Sequence, residues 1–248
     1  MQKISLKKKK RKNKKKSRMS EKKFRLLDGT TLKIIAMISM VFDHMGDMFF
    51  GSAEWMRMIG RLAMPIFAFC IAEGYSHTGD KKRYLMRMGL FALISEIPFD
   101  LAFAGKPELG HQNIMFTFFL SIIALMLYDR ITAGENGNGK VKAVPGVLVV
   151  LAMAAAALLL RADYTLFAVI SVFLFYVFRK KDNLIRVAIG VAFLALTRTV
   201  GYYCATGFSF IPLAMYNGKK GRGLKWLFYL FYPGHLLVLW LIRLLIKA

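Results

Sequence analysis

The chain contains few acidic residues and few cysteines, and each of these features excludes some classes of protein. Its 248 residues include 14 Asp and Glu against 37 Lys and Arg, a net charge of +23, and only two cysteines. Cys70 and Cys204 lie in or beside apolar runs, so we interpret both as free thiols rather than as a disulfide framework. The sequence contains neither a P-loop nor the His and Cys spacing of a metal site, and no metal is expected.

The long apolar runs also lack the alternation of apolar and polar residues that is typical of a transmembrane β-strand. Hydrophobic residues make up 56% of the chain, and the mean hydropathy is +0.45. As α-helices, apolar runs as long as these can cross a hydrocarbon layer about 30 Å thick. We therefore predict an all-α, polytopic integral membrane protein with about nine transmembrane helices, at residues 32–50, 58–75, 84–103, 113–128, 144–160, 164–178, 185–199, 202–216 and 226–246.

The first 25 residues differ from the rest, because they hold 14 Lys and Arg against one Glu, a charge of +13. We predict a disordered polybasic cytoplasmic tail over 1–25 and a transmembrane domain over 26–248. Such a tail could bind nucleic acid or anionic lipid headgroups, and the membrane character of the remaining chain favours the lipid. No short apolar segment with a small-residue cleavage site precedes Leu32, so we expect the first helix to be retained.

Lysine and arginine are concentrated in alternate loops. The loops after the even-numbered predicted helices read SHTGDKKR, DRITAGENGNGKVK, RKKDN and NGKKGRGLK, whereas the opposite loops carry few basic residues. The positive-inside rule then predicts a cytoplasmic N-terminus and an outside C-terminus, in a bacterial cytoplasmic membrane. Residues 185–216 are short for two spans, so they are expected to form two short helices or a re-entrant pair broken near Gly201.

Ionisable side chains interrupt the apolar segments at similar depth. The stretch ISMVFDHMGDMFF carries Asp43, His44 and Asp47, although an ionisable group at mid-membrane costs about 3 kcal/mol on insertion scales. One interpretation is charge neutralisation of the two carboxylates by Arg57 and Arg61, but this does not explain an imidazole. A histidine beside carboxylates is the usual composition of a general base.

Further polar residues fall on the same predicted outer side. Glu96 and Asp100 flank Pro98, and the next segment starts with His111, Gln112 and Asn113. In the last predicted helix, Pro233 and Gly234 are expected to break the helix next to His235. We predict that this set lines the site, together with residues at the outer end of the second helix. The candidate substrate-binding residues are Asp47, Arg61, Glu96, His111, Asn113 and His235, together with Glu73 near the inner end of the second helix.

The predicted inner face is basic and rich in glycine. Such loops can hold phosphates, although the positive-inside rule alone also accounts for their charge. The candidate residues for a phosphorylated ligand are Lys33, His77, Lys81, Asn217, Lys219, Lys220 and Arg222.

Six motifs in order resemble those of the TraX family of integral membrane proteins, over nearly all of residues 27–241. They read LKIIAMISMVFDHMG, IGRLAMPIFAFCIAEGYSHT, YLMRMGLFALISEIPFDLAF, QNIMFT, PLAMYNGKKG and YLFYPGHLLVLW. The founding member is linked to N-terminal acetylation of a conjugative pilin. The segment LDGTTLKIIAMISMVFDH also resembles the acyltransferase 3 proteins, in which an Asp-Gly pair and a basic residue precede a catalytic histidine, here Asp28, Gly29, Lys33 and His44.

The resemblance implies a membrane acyltransferase that uses acetyl-CoA from the cytosol. His44 is then the catalytic base, Asp43 orients it or balances its charge, and the basic inner residues bind the donor. The acceptor is an amine or hydroxyl of a peptide, a glycan or a small molecule. Two other classes remain open: a proton-coupled or small-molecule transporter, and a non-catalytic assembly factor of a conjugation system.

Overall fold

The computed structural model describes residues 24–51, 53–133, 139–196 and 200–247, so most of the predicted tail, residues 1–23, lies outside it. This part of the chain is helical, which confirms the all-α prediction, and its β-structure consists of two isolated bridges. The helices are α1 Gly29–Phe49, α2 Glu54–Gly60, α3 Ala63–His77, α4 Lys81–Phe103, α5 Ile114–Ala133, α6 Gly139–Leu159, α7 Thr165–Val177, α8 Asn183–Leu196, α9 Val200–Phe208, α10 Phe210–Ala214 and α11 Lys225–Lys247.

Three helical stretches within the described residues are long and apolar enough to cross a membrane. They are Glu54–His77, which joins α2 and α3, Ile114–Ala133, and Lys225–Ile246. Each predicted segment coincides with one or two observed helices. The number of crossings and the side on which the N-terminus lies stay predictions.

Helix α4 turns an apolar face outward, which supports a membrane protein independently of helix length. Leu90, Leu93, Ile94 and Ile97 are 46–65% exposed and lie on one face because their spacing follows the helical repeat. A contiguous apolar face of this kind is costly in water and favourable against lipid.

Helix α7 lies at the centre of the described bundle. It packs against α3, α5, α6 and α8, and its Ala168, Val172 and Phe175 are fully buried. Gly190 of α8 lies so close to the ring of Phe175 that a Cβ atom there would overlap it. Helix α11 packs on the other side, against α1 and α4, and these contacts bring distant histidines together.

One of the two predicted helix breaks is not observed, and the other lies next to residues outside the described part. Helix α11 runs continuously through Pro233 and Gly234, so the predicted break beside His235 is wrong. A helix in lipid tolerates proline where local adjustments satisfy the freed backbone groups. Gly201 lies inside α9, and residues 197–199 before it are outside the described part. The segment 185–216 is built from the short helices α8, α9 and α10.

Candidate functional site

Two histidines that are far apart in sequence meet between α1 and α11. Nδ1 of His44 lies 2.9 Å from Nε2 of His235, and the two rings stack with centroids 5.1 Å apart. The sequence predicts both as site residues because they lie in apolar segments. It does not indicate that they touch, since 191 positions separate them.

The backbone of α11 determines which ring nitrogens of the pair carry protons. Nδ1 of His235 lies 2.8 Å from the carbonyl oxygen of Phe231, and a carbonyl can only accept, so this nitrogen donates. In a neutral His235, Nε2 is therefore an acceptor, and Nδ1 of His44 donates to it. Nε2 of His44 is then the unprotonated nitrogen, which is the state that a general base requires.

Aromatic rings connect the histidine pair to α4. The rings of Phe103 and His44 meet edge to face, with centroids 5.2 Å apart. Phe103 contacts Phe99 at 5.1 Å, and Phe99 stacks on His111 at 5.6 Å. His111, a predicted substrate-binding residue, is exposed and is linked to His44 through these two rings.

The two carboxylates beside His44 belong to ion pairs where α1 packs on α2. Nη2 of Arg61 donates to Oδ1 of Asp43 at 2.7 Å. Arg57 donates to Asp47, and its Nε lies 4.0 Å from Oδ1 of Asp43. These contacts fit the charge-neutralisation interpretation of both carboxylates, whereas the hydrogen bond that orients the His44 ring comes from His235.

Arg61 is held at this position by close packing and by a second partner. A Cβ atom on Gly60 would overlap Asp43, so glycine allows the two helices to approach. Arg61 is 8% exposed, and its Nη1 donates to the hydroxyl of Tyr164 at 3.3 Å. Tyr164 has a φ of 57°, in the left-handed region that favours glycine. The sequence did not single out Tyr164, because a tyrosine at the end of a predicted membrane helix is common.

Glu96 and Asn113, both predicted, do meet. The side-chain amide of Asn113 donates to Oε2 of Glu96 and to the carbonyl oxygen of Ala92, the latter at 2.9 Å. Its own oxygen accepts from the backbone nitrogen of Met115 at the start of α5. The other Glu96 oxygen, Oε1, is buried and has no hydrogen-bond partner among the described residues. Asp100 instead accepts from the backbone nitrogen of Glu108 at 3.0 Å.

At the opposite end of α1, the segment 217–223, called the basic loop below, wraps around the first turn. The backbone nitrogen of Gly29 donates to the carbonyl oxygen of Lys219 at 2.8 Å. The hydroxyl of Thr30 donates to the carbonyl oxygen of Arg222 at 2.8 Å. A Cβ atom on Gly29 would lie 3.1 Å from the carbonyl oxygen of Lys220, so this contact favours glycine. The Asp28-Gly29 pair therefore docks the basic loop on α1.

Asp28 caps α1 and faces the same loop. Its carboxylate accepts from the backbone nitrogen and the hydroxyl of Thr31, at 2.8 and 2.9 Å. The backbone hydrogen bond from Thr31 is the main cause that holds the pKa of Asp28 below its ordinary value. The carboxylate is thus charged at neutral pH, and its capping bond is lost only as the pH falls through that lowered pKa.

The predicted donor-binding residues divide into separate groups. Asn217, Lys219, Lys220 and Arg222 belong to the basic loop, and the ammonium of Lys33 lies 4.7 Å from the ring centroid of Phe228 on α11. His77 instead pairs with the backbone oxygen of Glu73, at 2.9 Å. Lys81 donates to Asp129, at 2.7 Å.

Glu73, predicted to bind substrate, is engaged in a buried ion pair. Oε1 accepts from Nη1 of Arg186 at 2.6 Å, and Oε2 accepts from the hydroxyl of Tyr216 at 2.9 Å. Arg186 is 5% exposed and also donates to the carbonyl oxygen of Phe175. The sequence singled out neither Arg186 nor Tyr216. Arg186 follows the basic RKKDN loop and therefore reads as one more cytoplasmic charge.

Comparisons with known proteins agree with the resemblance. The family model described as TraX protein matches residues 28–243. A probable fimbrial assembly protein FimC, serogroup H1, of Dichelobacter nodosus is 29% identical over 237 residues, which cover 84% of this chain and 92% of the relative. An uncharacterized protein of Rickettsia prowazekii (strain Madrid E) is 36% identical over 63 residues, 25% of each chain. No solved structure matches. The family match spans most of the chain, and the chain belongs to the TraX family.

Proposed function

We propose that the protein is a membrane-embedded acyltransferase that moves an acetyl group from a cytosolic acyl-CoA to an amine or hydroxyl acceptor. It would act as a multi-pass protein of the bacterial cytoplasmic membrane. The observation that carries the proposal is the hydrogen-bonded pair of His44 and His235, because Phe231 directs the proton of His235 and leaves Nε2 of His44 unprotonated.

His44 is the general base in this proposal. Its Nε2 takes the proton of the acceptor as the acceptor nitrogen or oxygen attacks the thioester carbonyl carbon. The new C–N or C–O bond forms, the C–S bond breaks, and the proton passes to the leaving thiolate. A base of this kind contributes about 10²–10⁴ in rate. Asp43 and Asp47 then serve the ion pairs with Arg61 and Arg57 that hold α1 against α2.

An acyl-CoA would supply the acyl group as a thioester, and the basic loop suits its phosphates. The carbonyl oxygens of Lys219 and Arg222 accept hydrogen bonds from the first turn of α1, so the loop places three basic residues, Lys219, Lys220 and Arg222, at the start of this helix. Lys33 is one turn further along the same helix. The proposal leaves His77 and Lys81 out of the donor site, because their partners are Glu73 and Asp129 rather than residues of the basic loop.

The acceptor that we propose is the N-terminal amine of a pilin-like peptide. Two considerations support this acceptor. The founding member of the TraX family is linked to N-terminal acetylation of a pilin, and the Dichelobacter relative is named a probable fimbrial assembly protein. Glu96, Asn113 and His111 would position this amine, and Oε1 of Glu96 is a buried acceptor without a partner among the described residues. The polybasic tail would rest on anionic lipid headgroups.

A second candidate is a non-catalytic role in pilus assembly, which the name of that relative also supports. A non-catalytic assembly factor would need no base, so the two candidates differ in whether the purified protein releases CoA.

The deciding experiment is release of free CoA thiol from acetyl-CoA by the purified full-length protein with an N-terminal pilin-type peptide. Wild type should release thiol, and His44→Ala should lose at least about 99% of the rate, given the size of general-base effects. Ile38→Ala is the matched control, because Ile38 lies on α1 and is 55% exposed. A His44→Ala protein that folds normally and retains more than about a tenth of the rate would remove His44 from the role.

A further inference from the structure

A polar cavity lies at the predicted cytoplasmic ends of α3, α5 and α7, away from the histidine pair. Its volume is about 490 Å³, within the range of small-molecule sites. No residue of the basic loop lines it. The lining residues are Tyr75, Ser76, Lys81, Asp129, Thr132, Ala133, Tyr176 and Arg179.

The carboxylate in this cavity is already surrounded by donors. Oδ2 of Asp129 accepts from the hydroxyl of Tyr75 at 2.8 Å and from Nζ of Lys81 at 2.7 Å. Oδ1 accepts from the hydroxyl of Tyr176 at 2.6 Å. Asp129 therefore cannot be the group that recruits a cation, and its role is to hold Lys81 and the two tyrosines in place.

The two hydroxyl groups that line the cavity donate to their own helices. Ser76 donates to the carbonyl oxygen of Ala72, and Thr132 to that of Tyr128, both at 2.8 Å. These hydroxyl protons are therefore used in hydrogen bonds within α3 and α5 and do not point to a ligand in the cavity.

The remaining donors of the cavity are cationic. Arg179 donates from Nη1 to the carbonyl oxygen of Tyr176 at 2.9 Å and stacks on that ring, 3.8 Å from its centroid. Within the described part of the chain, the hydrogen bonds of Lys81 and Arg179 use one N–H of each, out of three and five. With Asp129 counted, the lining carries a net charge of +1.

We propose that this cavity binds a phosphate-bearing ligand through Lys81 and Arg179. An ammonium and a guanidinium with spare N–H groups match phosphate oxygens, and charge-assisted bonds of this type are strong. The cavity is larger than a phosphate group alone, so it has room for the glycerol or sugar that carries the phosphate. The ligand is either a soluble phosphate compound of the cytosol or the headgroup of an inner-leaflet phospholipid. Both present a phosphate group.

Calorimetric titration of the full-length protein in a neutral detergent tests the proposal. The probes are inorganic phosphate, glycerol 3-phosphate and dioctanoylphosphatidylglycerol, with dioctanoylphosphatidylcholine as the zwitterionic reference. We expect saturable binding of at least one anionic probe, and the tightest probe identifies the source. Arg179→Gln should weaken that binding about tenfold or more, since a charged hydrogen bond is worth about 1.5–3 kcal/mol.

The next residue provides a matched control. Lys180 is exposed and lies in the same helical turn but does not line the cavity, so Lys180→Gln removes the same charge and should change the affinity less than about twofold. Ala133→Leu is the second variant, because it adds apolar bulk to the cavity wall and keeps both cations. It should also weaken binding, with an unchanged unfolding temperature as the check on folding.

Three results would overturn the proposal. They are the absence of saturable binding for every anionic probe, an equal loss of affinity in Arg179→Gln and Lys180→Gln, and wild-type affinity in Ala133→Leu. None of these results bears on acyl transfer, because His44 and the basic loop lie outside the cavity.

Discussion

At the scale of single residues, His235 acts on His44 through one hydrogen bond, and its effect is to select a tautomer. Without an acceptor at Nδ1, the His44 imidazole is free to place its proton on Nε2, where it could no longer accept one. His235 is therefore a positioning residue in the proposed reaction, comparable with the outer partners that orient histidine ligands and bases.

His235→Phe tests this role, because phenylalanine keeps a planar ring and removes the acceptor. We expect kcat to fall about tenfold to hundredfold with little change in KM for acetyl-CoA. NMR of the imidazole nitrogens should show the His44 proton moving toward Nε2. A rise in KM with an unchanged kcat and an unchanged tautomer would instead make His235 a binding residue.

Because Asp43 pairs with Arg61, we expect the effects of substituting the two residues on stability to be strongly coupled. Asp43→Asn leaves the buried Arg61 guanidinium without its carboxylate, and breaking a buried pair costs about 3–5 kcal/mol. The double variant Asp43→Asn with Arg61→Gln should be less destabilised than the sum of the single variants. Thermal unfolding in detergent measures this coupling.

The same variants decide between the two interpretations of Asp43. If Asp43 serves the ion pair, the double variant should regain acyl transfer together with stability. If Asp43 is required for catalysis, activity stays low although the fold recovers.

At the scale of elements, the basic loop and the start of α1 form one unit. Gly221 has a φ of 76°, and a Cβ atom there would lie 2.6 Å from Cγ of Asp28. Gly223, two positions later, has open space where its Cβ would be. Substitution should therefore be tolerated at Gly223 but not at Gly221, and Gly223 serves as the control position.

Gly221→Ala should separate the basic loop from α1 and destabilise this region by about 1–3 kcal/mol, whereas Gly223→Ala should have a small effect. Limited trypsin cleavage after Lys219, Lys220 or Arg222 should become faster in Gly221→Ala alone. Equal cleavage rates in the two variants would show that docking does not depend on Gly221.

At the scale of the whole molecule, the side of the membrane on which each loop lies can be tested with single cysteines. Cys204 is exposed and is first replaced by serine, and Cys70 is buried. Leu109, which is 89% exposed, lies in a predicted outer loop, and Gly79, with open space at its Cβ, lies in a predicted inner loop.

A cysteine at Leu109 should react with an impermeant maleimide added to intact cells, and one at Gly79 should react only after lysis. The expectation follows from the concentration of Lys and Arg in the loop that contains Gly79. Labelling of Gly79→Cys in intact cells would reverse the predicted orientation of the chain.

Sequence alone determined the helical class, the approximate positions of the helices and the family. These properties follow from composition, from local apolar runs and from ordered motifs, none of which depends on a contact between distant segments. For the same reason His44 and Glu96 stood out, because an ionisable residue in an apolar run is visible without any partner.

Only the tertiary structure decided which of these residues meet. The contact of His44 with His235 depends on the packing of α1 against α11, and the pairing of Glu73 with Arg186 joins residues 113 positions apart. Asp129 and Arg179 read as ordinary loop charges and Arg186 as a charge at the end of a helix, because charge in a sequence carries no information on burial. Their roles arise from packing around α7, which turns neighbouring charges at the predicted cytoplasmic end into a buried ion pair and a cavity wall.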